Sequence, residues 1–392
     1  MKRAIAITLF TLAALLVGAK WLNQFSENAD AAPELSVASV MGSADTAGFA
    51  RAFAPRAFVF PADHGPHPDF RTEWWYYTGN LQTESGRHFG YQFTLFRSAL
   101  SVDTIARESE MAANQLYMGH FALSDIQNDN YYYFERFSRA ANGLAGAQAA
   151  PFRVWLEDWQ TIDPDADSTA AFPKMRIDAA AEGVSLNIEL TPEKPHVLQG
   201  DRGLSQKSAK PGNASYYYSL TRMTAEGSVS VNGETLAVNG LSWMDREWST
   251  SALGDNQVGW DWFSLQLDNG GALMLFEIRR ADGTREATSA GSYIAPDGTV
   301  THLALGDWTL ETTDTWTSPT SGGEYPAGWR IAVPSIGLEL AGRPLLADQE
   351  LNLSTVYWEG AVEFGGTLDG MPINARGYIE MTGYAGSMEG RL

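Results

Sequence analysis

Residues 61–97 read PADHGPHPDFRTEWWYYTGNLQTESGRHFGYQFTLFR. The opening of this stretch, residues 63–70, holds Pro66, Pro68, Gly65, His64, His67, Asp63 and Asp69. Proline fixes φ and removes a donor, so this piece is a rigid loop and neither a helix nor a central strand. Glu73-Trp74-Trp75-Tyr76-Tyr77-Thr78 follows, aromatic and β-branched, with strong strand character. Gly79-Asn80 and Glu84-Ser85-Gly86 supply turn chemistry, and residues 88–96 form the return strand. Alternation puts Glu73, Trp75 and Tyr77 on one face and Trp74, Tyr76 and Thr78 on the other. Both faces are aromatic, so both are expected to be covered. A sheet buried on both faces without helices closes into a barrel or stacks on another sheet.

The same grammar runs through the chain. Asn232-Gly233 and residues 268–271 (DNGG) mark hairpins, and Asp282-Gly283 and Asp297-Gly298 mark further turns. Turns recurring at this spacing without crossover helices predict an all-β fold of antiparallel sheets. At 392 residues the chain exceeds one typical core. A division near residues 225–240 gives an N-terminal unit over residues 50–232 and a C-terminal unit over residues 233–392.

Before these units lies a leader. Met1-Lys2-Arg3 precedes an apolar run over residues 4–19, the pattern of a secretory signal, with residues 17–19 (VGA) or 29–31 (ADA) as cleavage sites. Residues 1–31 are therefore expected to be a signal peptide or an uncleaved anchor plus linker, directing the protein to the periplasm or tethering it to the inner membrane. The net charge of −20 argues against nucleic acid as a partner, because phosphate neutralisation needs Lys and Arg. The absence of Cys excludes disulfides and thiolate nucleophiles.

Charge meets aromatic surface at a second dense site, residues 240–248 (GLSWMDREW). Alternation puts Asp245 on the face of Trp243, and Arg246 on that of Met244 and Trp248. A desolvated Asp between Trp rings has a raised pKa, which makes it a general acid near neutral pH. The competing reading is a buried salt bridge at a domain junction, since Arg246 favours the ionised form. Asp261 in Trp260-Asp261-Trp262, Glu73 and Glu359 are further carboxyls in aromatic surroundings. Asp245, Glu73 and Asp261 are the catalytic candidates. The rings expected to line a ligand site are Trp74, Trp75, Tyr77, Tyr216, Tyr218, Trp243, Trp260 and Trp262, with His64, His67, Arg246 and Glu247 shaping it. Two His three apart in a Pro-braced loop do not match a standard zinc pattern, so no metal and no cofactor are expected.

These residues also carry a family resemblance. FPADHGPHP (60–68) with TEWWYYTGN (72–80), SWMDREW (242–248) and GYIEMTGY (377–384) resemble the motifs of the AttH family, relatives of the carotenoid 1,2-hydratases. The resemblance spans residues 55–388 and implies two tandem antiparallel lipocalin-like β-barrels. It also implies a protein acting beside an ABC transporter of the lipoprotein-export type, or a secreted hydrolase. In the hydratases an Asp protonates a polyene double bond, and Asp245 matches it. The segment Ser215-Tyr216-Tyr217-Tyr218 lacks the His those enzymes use, and Arg246-Glu247 departs from their pattern. The expected function is an exported carrier of a lipid or other hydrophobic molecule. The alternative is a hydratase or hydrolase acting on an apolar, isoprenoid-like substrate by carboxyl acid catalysis.

Overall fold

A computed structural model describes residues 46–102, 113–165, 170–251 and 253–388. The expected leader, residues 1–31, lies outside the described residues. The fold is all-β: two antiparallel sheets curl into barrel-like shapes, as a tandem lipocalin-like chain requires. No helix among the described residues is long and apolar enough to cross a membrane.

The first sheet has 13 strands. At its middle, Thr72–Gln82 lies between His88–Ala99 and Glu234–Ser249. The two motif-bearing stretches are thus hydrogen-bonded neighbours, with Glu73 opposite Trp248 and Tyr76 opposite Asp245. Ala214–Val231 completes the centre on the far side of Glu234–Ser249. The second sheet has 10 strands, with Gln257–Leu267 between Ala272–Arg280 and Met371–Thr382, and Val356–Leu368 beyond.

The sheets change between Ser249 and Gln257, so the expected division after residue 232 is corrected. Asn232-Gly233 does turn a hairpin, but both of its strands belong to the first sheet. That hairpin's φ values are positive at both residues, +53° and +80°, which suits Asn and Gly.

Each barrel is filled by its own side chains. Trp75, Tyr77, Phe93 and Leu95 pack with Trp159 and Ile188 in the first, and Phe263, Leu265, Trp329 and Trp358 pack in the second. A third apolar cluster joins the outer faces: Tyr76, Tyr217 and Trp243 meet Trp262, Met274, Phe276 and Tyr378. The aromatic content of both faces of Thr72–Gln82 thus has one cause per face, barrel core on one side and the partner sheet on the other. Gly90 sits at this seam; a Cβ there would stand 2.6 Å from Ala361 Cβ and 2.8 Å from Tyr378 Oη. Gln266 Nε2 crosses the seam to the carbonyls of Thr221 and Ser242, both at 2.9 Å.

Candidate functional site

Between the facing sheets lies a cavity of about 120 Å³. Its lining follows the two-residue period of each strand. The first sheet gives Trp74 and Tyr76, then Gln92, Thr94 and Phe96, then Tyr217, then Asp245 and Glu247. The second gives Trp260 and Trp262, Phe276 and Ile278, Tyr357 and Glu359, and Glu380. Apolar walls with a few convergent polar groups, at a domain interface, are the usual setting of a small-molecule site.

Asp245 is buried and held by three donors. Ser219 Oγ and Trp243 Nε1 donate to Oδ1 at 2.5 and 2.7 Å, and Tyr217 Oη donates to Oδ2 at 2.5 Å. Trp262 Nε1 in turn donates to Tyr217 Oη at 3.1 Å, so the second sheet helps to fix the first sheet's acid. Burial pushes the carboxyl up to about 7, and the charge of Glu247 adds to this against the pull of the three donors.

Glu359 is also buried, yet neither of its carboxyl oxygens has a hydrogen-bond partner. The hydroxyls of Tyr76 and Tyr357 stand near it, outside ordinary hydrogen-bond geometry. Burial holds it well above the usual carboxylate range, and the charge of Glu380, its direct cross-strand partner, pushes the same way. Glu380 is half-buried and pushed up to about 7, chiefly by desolvation; the Trp260 side chain opposes this and the charges of Glu247 and Asp245 reinforce it. Three carboxyls this close in an apolar cavity do not all ionise at neutral pH. A fourth carboxyl on the cavity wall, Glu247, is paired with Lys207 Nζ at 2.8 Å and accepts a hydrogen bond from Ser215 Oγ.

Of the residues singled out in the sequence, Asp245, Glu247, Trp74, Trp260 and Trp262 line this cavity, and Trp243 braces Asp245 from behind. Glu73 does not reach it. Its fully buried carboxylate is ion-paired with Arg97 and Arg246 on the opposite face of the strand. Desolvation pushes its pKa up, but the two guanidinium groups win and hold it well below the usual range. An acid locked as an anion between two arginines donates no proton, so Glu73 is corrected to a structural ion pair. Asp261 is corrected too: it points away from Trp260 and Trp262, to Arg279 Nε at 3.1 Å and Tyr384 Oη at 2.9 Å.

Trp75 and Tyr77 belong to the first barrel's core, where Tyr77 Oη meets Thr161 Oγ1 at 3.2 Å. Tyr216 and Tyr218 face the Pro-braced loop: Tyr216 donates to the Ala54 carbonyl at 2.9 Å, and Tyr218 Oη lies 2.6 Å from His64 Nδ1. These four rings are therefore not cavity residues. His67 stacks on Trp248 with ring centroids 3.7 Å apart and contacts Asp63, Glu73 and Arg246. Arg246 lies over Trp75 at 4.0 Å. Among the described residues no group of three or more His, Asp or Glu is placed to hold a metal ion.

Glu359, named in the sequence as a further carboxyl in aromatic surroundings, lines the cavity too, whereas Tyr76, Lys207, Tyr217, Tyr357 and Glu380 are among the lining residues that sequence reading did not assign to the site. Parity was the available signal. Tyr217 shares the face of Ser219, and both lie opposite the odd-numbered face of Glu234–Ser249 that carries Asp245.

A family model of AttH-like proteins matches residues 51–384. The chain belongs to the AttH-like family. An AttH-like protein of known structure from Nitrosomonas europaea is 36% identical, with a TM-score of 0.76, over 86% of this chain and 99% of its own. Kievitone hydratase from Nectria haematococca shares the fold at 16% identity and a TM-score of 0.64, over 87% of this chain and 97% of its own. CghA, solved with Sch210972, does so at 13% identity and a TM-score of 0.50, over 87% and 98%. No curated protein sequence matches the chain. Of the AttH-like motifs named in the sequence, 72–80 and 242–248 fall on the two central strands of the first sheet and most of 377–384 on Met371–Thr382 of the second, and each contributes to the cavity wall, whereas 60–68 lies on the loop before Thr72–Gln82.

Proposed function

We propose that the inter-sheet cavity is an acid–base site of hydratase type, acting on an apolar unsaturated substrate. The observation that carries this reading is the convergence of Asp245, Glu359 and Glu380 in one apolar cavity, where Asp245 and Glu380 are pushed up to about 7 and burial holds Glu359 well above the usual carboxylate range. A carboxyl that is still protonated near pH 7 is what protonation of a carbon–carbon double bond needs. The AttH-like fold shared with a hydratase supports the same class.

In this scheme Asp245 gives its proton to one carbon, forming a C–H bond and leaving positive charge on the other. Water adds to that carbon, and its released proton passes to Glu380, ionised in part at neutral pH. The sum is addition of one water molecule, and dehydration is the same path reversed. Tyr217, Ser219 and Trp243 steady the Asp245 carboxylate once its proton has left, because all three donate to it. Trp74, Phe96, Trp260 and Trp262 supply aromatic faces beside the developing cation.

The same apolar walls favour a second reading, a carrier of a lipid or other hydrophobic molecule, exported and working beside an ABC transporter. Incubation with a panel of isoprenoid and phenolic alkenes in ¹⁸O-water, read by mass spectrometry, separates the two. The hydratase reading expects ¹⁸O in the product, and turnover lower by about 10²–10⁴-fold in Asp245→Asn with ligand uptake retained. Uptake of alkene that is recovered unchanged from the wild type would instead support the carrier.

A further inference from the structure

Behind the cavity, on the side of Glu359, a chain of polar side chains runs to the surface across the seam. Tyr357, a cavity-lining residue two positions from Glu359 on the same strand, places its Oη 2.7 Å from His120 Nδ1. His120 is only 2% exposed, and its Nε2 lies 3.0 Å from Glu135 Oε1. Glu135 is the first member to meet solvent, with its side chain 14% exposed, and the Ser354 Oγ donates to it at 2.5 Å. His120 and Glu135 come from the first sheet, Tyr357 from the second, and Ser354 from the bend between two strands of the second, Glu350–Asn352 and Val356–Leu368. The tautomer follows from the partners. An ionised carboxylate only accepts, so His120 carries its hydrogen on Nε2, and its bare Nδ1 accepts from Tyr357.

Resting on the acid–base reading of the cavity, we propose that Tyr357, His120 and Glu135 form a proton relay that connects Glu359 with solvent without passing through the cavity. A rotation of the Glu359 carboxyl onto the neighbouring Tyr357 Oη, which stands beside it outside hydrogen-bond geometry, closes the first link. Glu359 then passes its proton to Tyr357 Oη as Tyr357 gives its own to His120 Nδ1, and His120 gives the Nε2 proton to Glu135. One proton has then moved from the cavity to the surface. Glu359 is left as the carboxylate, the tyrosine is again neutral, and the imidazole is neutral in its other tautomer. The reverse sequence recharges Glu359. The route matters because an apolar substrate seated against Trp74, Phe96 and Trp260 occupies the cavity side. Glu359 has no hydrogen-bond partner there and is 1% exposed. Tyr357 and His120 are positioning and relay residues; neither is assigned to the reacting atoms.

The test needs no substrate. On rapid transfer to D₂O at pH 7, infrared spectroscopy follows deuteration of the buried protonated carboxyl, assigned to Glu359 by its loss in Glu359→Gln. The relay predicts that Tyr357→Phe, which keeps the ring and removes the bridging oxygen, slows the exchange about tenfold or more. His120→Ala should slow it similarly, and added imidazole should restore it. Exchange as fast as in the wild type in a natively folded Tyr357→Phe protein would overturn the relay, as would absence of a protonated Glu359 at pH 7. Should His120→Ala fail to fold, Tyr357→Phe decides alone. A protein that hydrates no alkene yet exchanges through this path would contradict the hydratase reading and leave the relay standing.

Discussion

Asp245 shows what one residue owes to its neighbours. Its aromatic flanks were legible in Trp243-Met244-Asp245, because a carboxyl between Trp rings is desolvated wherever the chain goes. Illegible were the donors Ser219 and Tyr217, the acid Glu380, and the convergence of Glu359 on the same cavity. Ser219 and Tyr217 reach Asp245 only through strand pairing, and Glu359 and Glu380 share its cavity only through the meeting of two sheets. The balance has a consequence for stability. An Asp whose folded pKa is about 7, against an ordinary 3.8, binds more protons folded than unfolded between those values. Stability from this group is fully present below pH 4 and is lost as pH rises through 7, by about 4 kcal/mol at most. Glu73 and Asp63, with depressed values, act in the opposite sense, losing their contribution only in acid. Asp245→Asn keeps the shape and removes the titration. Its melting temperature, followed from pH 5 to 8.5, should gain on the wild type as pH rises. Parallel curves across that range would contradict the shifted carboxyl.

At the scale of the element, the strand Thr72–Gln82 was readable in extent and in alternation, and the assignment of its faces was not. Glu73, Trp75 and Tyr77 looked as suited to a ligand as Trp74 and Tyr76, since both sets are aromatic with polar tips. The structure separates them by what lies opposite: Arg246, Arg97 and the barrel core for the odd face, the second sheet for the even face. The same parity moved the ligand contact from Tyr216 and Tyr218 to Tyr217, and removed Asp261 in favour of Trp260 and Trp262. Substitution of adjacent residues should therefore have unlike effects. Trp75→Ala opens a hole in a filled core and should cost about 3–5 kcal/mol in urea unfolding. Trp74→Ala widens an existing cavity, should cost about 1–2 kcal/mol, and should raise uptake of an apolar dye. Equal losses of stability, with dye uptake unchanged in both, would contradict the division of faces.

The whole molecule was legible as two antiparallel β units, because turn spacing and the absence of helical periods admit little else. The boundary was misplaced because a tight Asn-Gly hairpin looks the same within a sheet as between domains. The location of the site followed no local pattern at all. Lipocalin-like barrels suggest a ligand inside a barrel, but here Trp159, Trp329 and Trp358 help to fill the barrels, and the open space lies between them. That arrangement explains why the motifs 242–248 and 377–384 sit on different sheets and yet serve one place. Asp245 comes from the first sheet and Glu359 and Glu380 from the second; Glu380 raises Glu359 as its cross-strand partner, and the charge of Asp245 raises Glu380 only while the seam is closed. The closed seam in turn depends on close contacts such as Gly90 against Ala361 and Tyr378. In this reading the assembly stores protonated carboxyls at neutral pH. Carboxyl-carbon NMR, with Asp245, Glu359 and Glu380 assigned through their Asn and Gln variants, measures this directly. The prediction is apparent pKa values about 7 for Asp245 and Glu380, and a Glu359 still protonated at pH 7. Three carboxyls that all ionise in the ordinary range near pH 4 in the folded protein would contradict it.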